Sequence, residues 1–211
     1  MKVYEYGKSD SRFVLLQAVD DHDLSFMDDE IKALSEMAGG DFRLITLKVE
    51  SWNRDISPWR APAVFGNADF GDGARETLET FLGYCTDPDK VYFIGGYSLA
   101  GLFSLWAGCQ SAVFQGVAAA SPSVWFPGFT DYLKAHPVRS KAVYLSLGDR
   151  EEKTRNPVMA TVGDCIREDY ELLKAQGLRC TLEWNRGNHF KDADLRTARA
   201  FTWLLKQLSG R

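Results

Sequence analysis

Short apolar runs alternate along the chain with stretches in which apolar residues recur every three or four positions. The runs at 2–6, 13–19, 43–48, 91–95, 116–120, 142–147 and 180–184 are rich in Val, Ile, Leu, Phe and Tyr and bounded by Gly, Asp or Pro, which predicts strands. Several are apolar at both odd and even positions, the pattern of parallel strands covered on both faces. The longer period predicts helices over 25–37, 74–82, 99–109, 156–175 and 194–208. Ser25-Phe26-Met27-Asp28 has the form of a capping box, and Leu195, Ala198, Phe201, Leu204 and Leu205 form one stripe on the last helix. Strand–helix alternation predicts an α/β fold, a mostly parallel sheet with helices on both faces, in one domain over 1–211. The first two strands follow each other without a helix, so an antiparallel edge is expected there. The longest irregular stretch is 50–73, which contains Pro58 and Pro62; a loop this long inside a compact domain is a candidate functional segment.

Composition narrows the function classes. With 211 residues and 45% hydrophobic content the chain has enough material for a full core. Twenty-nine acidic against 25 basic residues leave a net charge of −4, which supplies no electrostatic case for nucleic acid or an anionic membrane surface. No apolar run approaches the ~20 residues of a membrane helix, and residues 1–8 carry no apolar signal core. A cytoplasmic protein acting on a small molecule is expected. Cys85, Cys109, Cys165 and Cys180 are widely spaced and form no C-x-x-C pair, so neither a disulfide framework nor a metal site is expected.

The chemistry centres on Gly95-Gly96-Tyr97-Ser98-Leu99-Ala100-Gly101. A predicted strand runs into Gly-x-Ser-x-Ala and a predicted helix follows at once, the setting in which such a motif is meaningful. The chain must reverse at Ser98, which exposes the hydroxyl on a strained backbone, and small residues two before and two after relieve the crowding. Gly96 and Ala100 occupy those places. The first N–H groups of the helix lie behind the serine, ready for a developing oxyanion.

A serine nucleophile needs a base, and the base an orienting acid. Three histidines are available. His136 precedes Pro137 and reads as a surface loop residue. His22 sits among Asp20, Asp21 and Asp23, whose carboxylates read as helix caps rather than as a metal site. His189 follows the last predicted strand and fits the base. The strand at 142–147 is followed by Gly148-Asp149-Arg150-Glu151-Glu152; the spacing favours Glu151 as the acid, with Asp149 and Glu152 as alternatives. Both loops belong at the carboxyl edge of the sheet, together with Ser98.

With these residues in place, the chain resembles the esterase branch of the α/β-hydrolases that holds esterase D-like enzymes and the siderophore (enterochelin-type) esterases. The resemblance spans roughly 13–205. It rests on the elbow at Ser98, on Ser121-Pro122-Ser123-Val124-Trp125-Phe126, on Arg54-Asp55-Ile56-Ser57-Pro58 and on Gly187-Asn188-His189. It implies the α/β-hydrolase fold and an acyl-enzyme mechanism without cofactor or metal. It also implies an oxyanion hole built from Leu99 and from the loop after the strand at 13–19, where the register points to Val19, with Asp20 as the alternative. Cap domains of the superfamily often enter between the strands near 120 and 142; only 21 residues, 121–141, separate them here, so a minimal or absent cap is expected. Rim positions for substrate are Arg54, Trp59, Trp125 and Tyr97, with Trp52. The expected activity is hydrolysis of a small-molecule carboxylic ester. The alternatives are a non-catalytic binding protein on the same fold, or an acyltransferase or thioesterase using the same residues.

Overall fold

A computed structural model of the protein describes residues 1–208; positions 209–211 of the expected domain lie outside the described residues. The strands are β1 (Lys2–Gly7), β2 (Phe13–Val19), β3 (Arg43–Lys48), β4 (Val91–Tyr97), β5 (Phe114–Ala120), β6 (Ala142–Gly148) and β7 (Arg179–Asn185). The helices are α1 (Asp21–Ser25), α2 (Met27–Ala38), α3 (Trp52–Asp55), α4 (Ala74–Leu82), α5 (Ser98–Gln110), α6 (Phe129–Ala135), α7 (Val162–Ala175) and α8 (Ala193–Leu208). The sheet order is β1-β3-β2-β4-β5-β6-β7. Six strands are parallel, and β1 runs antiparallel at one edge. The partner of β1 is β3 and not β2, contrary to the expected pairing of the first two strands. Burial explains the exchange: β2 is buried at six of its seven positions and needs a strand on either side, whereas β1 is partly exposed throughout and tolerates an edge.

Neighbouring residues of each central strand feed opposite cores. Leu16, Ile94, Val117 and Val143 pack with α4, α5, α6 and α7, while Leu15, Phe93, Ala118 and Tyr144 pack with α2 and α8. Two glycines let α8 approach the sheet: a methyl group at Gly95 would stand 2.6 Å from the Phe201 ring, and one at Gly116 would stand 2.7 Å from Leu204. Burying Phe201 completely contributes about 1.5–3 kcal/mol and anchors the helix that follows His189.

Where local structure departs from the sequence pattern, side chains compete for the backbone. The helix expected over 25–37 begins at Met27 as α2, and a separate short helix, α1, precedes it with Phe26 between them. The capping box lies at Asp20, not at Ser25: the Asp20 carboxylate accepts from the Asp23 amide at 2.9 Å, and Asp23 accepts from the Asp20 amide at 3.3 Å. The Ser25 hydroxyl donates instead to the His22 carbonyl at 2.6 Å. Asn156 likewise accepts from the Val158 and Met159 amides, so α7 begins only at Val162. The short helices α3 and α6 carry no periodic pattern of their own and arise within the expected loops. All four cysteines are free thiols. Among the described residues no helix is long and apolar enough to cross a membrane.

Candidate active site

β4 ends at Tyr97 and α5 begins at Ser98, whose φ of 57° lies in the left-handed region. A side chain there costs strain, and the turn closes because its neighbours are small: a methyl group at Gly96 would stand 2.7 Å from the Ala100 Cβ. The Leu99 N–H, in the first turn of α5, has no acceptor among the described residues. The Ser98 hydroxyl lies 2.9 Å from His189 Nε2 and 3.2 Å from the Ser123 hydroxyl.

The loops after β6 and β7 are tied to each other. The Asp149 amide donates to the Asn185 carbonyl, the Arg150 amide to the Gly187 carbonyl, and the Gly187 amide to the Asp149 carboxylate at 2.8 Å. This lacing brings Glu151 Oε2 to 2.7 Å from His189 Nδ1. The other Glu151 oxygen accepts from the Gly148 amide (2.7 Å), the Ser121 hydroxyl (2.8 Å) and Arg196 (2.9 Å). Burial would push the Glu151 carboxyl up, but His189, the Gly148 amide and the Ser121 hydroxyl together hold it below the usual carboxylate range. A side chain at Gly148 would collide with the Gly187 carbonyl and with Glu151, so the glycine that ends β6 is required by the acid that follows it. The alternatives fall elsewhere: Asp149 braces the histidine loop, and Glu152 pairs with Arg167 at 3.0 Å near the surface.

Arg196 was not anticipated. It is 1% exposed and donates to Glu151, Ser121, Tyr97 and the Asn188 carbonyl. The available signal was an arginine with Ala193 and Ala200 at helical spacing, on a face too small and apolar for a solvated charge. Tyr97 donates to the His189 carbonyl at 2.8 Å, which places it behind the histidine as well as on the cavity wall. His136 stacks on Tyr132 at the surface, and His22 is exposed on α1.

A cavity of about 610 Å³ opens beside Ser98 and His189. Its floor and walls come from β2, α1, α2, Trp52 and the start of α8, with Tyr97 at the back. Three expected rim residues are not among those lining it. Arg54 is held by Asp55 at 2.8 Å, Trp59 donates to the Pro127 carbonyl and packs on Phe126 and Tyr132, and Trp125 is buried against Phe65 and Phe70. Segment 121–141 holds α6 and packs largely into the core, and it meets Ser98 through Ser123. Val19 is corrected as an oxyanion donor. Its carbonyl accepts from the Val49 amide on the β3 side, and in an extended strand its own N–H points the same way, away from β4. The next amide in the trans chain, that of Asp20, faces β4 instead, where it meets the Asp23 carboxylate.

No protein-family model matches the chain, and no curated protein sequence does. Solved structures do. A siderophore hydrolase, EstA, from Aspergillus nidulans superposes with a TM-score of 0.66 over 96% of this chain and 86% of its own, at 18% identity. An IroE-like serine hydrolase from Shewanella oneidensis gives 0.76 over 97% and 75%, at 13% identity. Acyl-protein thioesterase 2 from Zea mays gives 0.63 over 99% and 98%, at 15% identity. The fold is the α/β-hydrolase fold.

Proposed function

We propose that the protein is a serine hydrolase acting on carboxylic esters, with Ser98 as nucleophile, His189 as general base and Glu151 as the acid that orients it. The observation that carries this reading is the unbroken chain Ser98 Oγ–His189 Nε2–His189 Nδ1–Glu151 at 2.9 and 2.7 Å, set on a left-handed serine at the mouth of a cavity. Three of the structural neighbours are described as a siderophore hydrolase, a serine hydrolase and a thioesterase, which agrees with it.

In this mechanism Ser98 attacks the ester carbonyl as His189 Nε2 takes its proton. The Glu151 carboxylate keeps the other imidazole proton on Nδ1 and stabilises the imidazolium without becoming protonated. The Leu99 amide donates to the oxyanion, a contribution of about 3 kcal/mol per donor in such sites. The Asp20 amide supplies the second donor once it leaves its long contact with Asp23. His189 returns the proton to the leaving alcohol, and water then releases the acyl group by the same route. A fluorophosphonate probe should label the wild type and leave Ser98→Ala unlabelled; an unlabelled wild type, or labelling that survives Ser98→Ala, overturns the reading.

A further inference from the structure

The cavity beside Ser98 has an unusual charge balance for a site that must stabilise an oxyanion. Six carboxylates line it, those of Asp20, Asp23, Asp29, Glu30, Asp192 and Asp194, against two imidazoles, His22 and His189, and no Lys or Arg. Two of its floor side chains are almost fully buried, Gln17 at 3% and Glu30 at 5% exposure, and each keeps one oxygen with no hydrogen-bond donor among the described residues. The one contact between them, Gln17 Nε2 to Glu30 Oε2, is a long 3.3 Å. Buried acceptors without donors are costly; both oxygens are closed to solvent where they stand, and rotation about the soft terminal torsions of their side chains turns them toward a donor entering the cavity. Trp52 presents an aromatic surface on the same wall and favours positive charge. Among the described residues no three His, Cys, Asp or Glu side chains converge as a metal ion requires. Carboxylates spread around an aromatic-walled cavity suit an organic cation, and N–H groups on that cation supply the donors the orphaned acceptors lack.

We infer that this cavity binds a primary ammonium group carried by the ester substrate, with Glu30 and Gln17 accepting its hydrogen bonds, Asp23 supplying further charge and Trp52 forming the aromatic wall. The inference rests on the serine-hydrolase reading above and names the substrate class of that same site. Burial pushes the Glu30 carboxyl up to about 8, and burial with the neighbouring Asp20 carboxylate pushes Asp23 up to about 6.

The test compares three para-nitrophenyl esters of matched chain length: the aminohexanoyl ester with its amine at the chain end, the heptanoyl ester, and the trimethylammoniohexanoyl ester. Wild-type kcat/KM should favour the amine over the neutral ester by about tenfold or more, the worth of a charge-assisted hydrogen bond, and over the trimethylammonium ester, which has no N–H. Glu30→Gln, which keeps the shape and removes the group that can ionise, should abolish the preference, read as the ratio of kcat/KM on the amine ester to kcat/KM on the heptanoyl ester within the same variant. Equal rates on all three esters, a preference for the neutral ester, or a preference that persists in Glu30→Gln overturns the inference while fluorophosphonate labelling leaves the serine-hydrolase reading standing. If labelling itself fails, calorimetric titration of n-pentylammonium chloride into wild type and Glu30→Gln reads the cavity without catalysis: binding lost in the variant supports the ammonium site, and no binding to the wild type overturns it.

Discussion

Two buried carboxylates flank Ser98, and the protein treats them in opposite ways. Glu151 is surrounded by donors: the His189 ring, the Gly148 amide, the Ser121 hydroxyl and the Arg196 guanidinium. Its carboxyl is held below the usual range despite burial. Glu30, on the far wall, has one long contact with Gln17 and is pushed up to about 8. Burial is similar in the two places, so the difference lies in the donors. A carboxylate kept ionised at neutral pH serves as a fixed negative charge for an imidazolium, whereas one left short of donors is a place for a charge that arrives with a ligand.

The largest way to break this contrast is to remove the charge on the well-supplied side. Glu151→Gln keeps the shape but offers His189 the wrong partner, and kcat on a para-nitrophenyl ester should fall by about 10⁴-fold. Next is Arg196→Met, which leaves Glu151 buried without its guanidinium. Chemical denaturation should show a loss of about 3–5 kcal/mol, and restoring neutrality with Arg196→Met plus Glu151→Gln should recover part of it.

The opposite wall gives a change of opposite sign with pH. In the unfolded chain Glu30 releases its proton near the ordinary glutamate value of 4.5, but in the folded chain only at about 8. The folded state therefore loses stability as pH rises through that window, by an amount on the order of a few kcal/mol. The difference between wild type and Glu30→Gln, measured by denaturation at several pH values, should open across it. Glu151 contributes in the other direction: its share is present above the usual glutamate range and is lost as pH falls through the lowered folded value. The smallest effect belongs to Glu152→Gln. Its pair with Arg167 is partly exposed, so stability should change by less than about 1 kcal/mol and kcat by no more than about twofold. A collapse of activity in Glu152→Gln, with Glu151→Gln unaffected, would reverse the assignment of the acid.

Much of the architecture was legible in the pattern of apolar residues. The strands at Phe13–Val19 and Arg43–Lys48 and the helix at Ala74–Leu82 fall where that pattern puts them, because each has a clear period and a sharp boundary. The helix expected to start at Ser25 does not, because Asp20 and Asp23 cap each other and shift the start. Ser98 stands out in the sequence at a turn between a strand and a helix, and His189 in a loop after the last strand, whereas the acid stays open there among Glu151, Asp149 and Glu152. Trp59, Trp125 and Arg54 were legible as aromatic or charged residues but not as to direction. Aromatic packing draws the two tryptophans away from the serine, and the Asp55 carboxylate holds the arginine.

The sequence by itself determined the strand–helix alternation, the sharp turn at Ser98 and the order of serine, acid and histidine, since these depend on local periodicity, on small residues around one turn and on spacing after strands. Only the tertiary structure decided the rest. Strand order placed β1 beside β3, the rotation of alternate amides took Val19 away from the serine, and the approach of α8 over Gly95 and Gly116 brought Arg196 to Glu151 from 45 residues away. The same packing set Gln17 beside Glu30 on the cavity floor. Charge and hydrogen-bond supply are properties of neighbours in space, and neighbours so far apart in the chain leave no periodic trace in it.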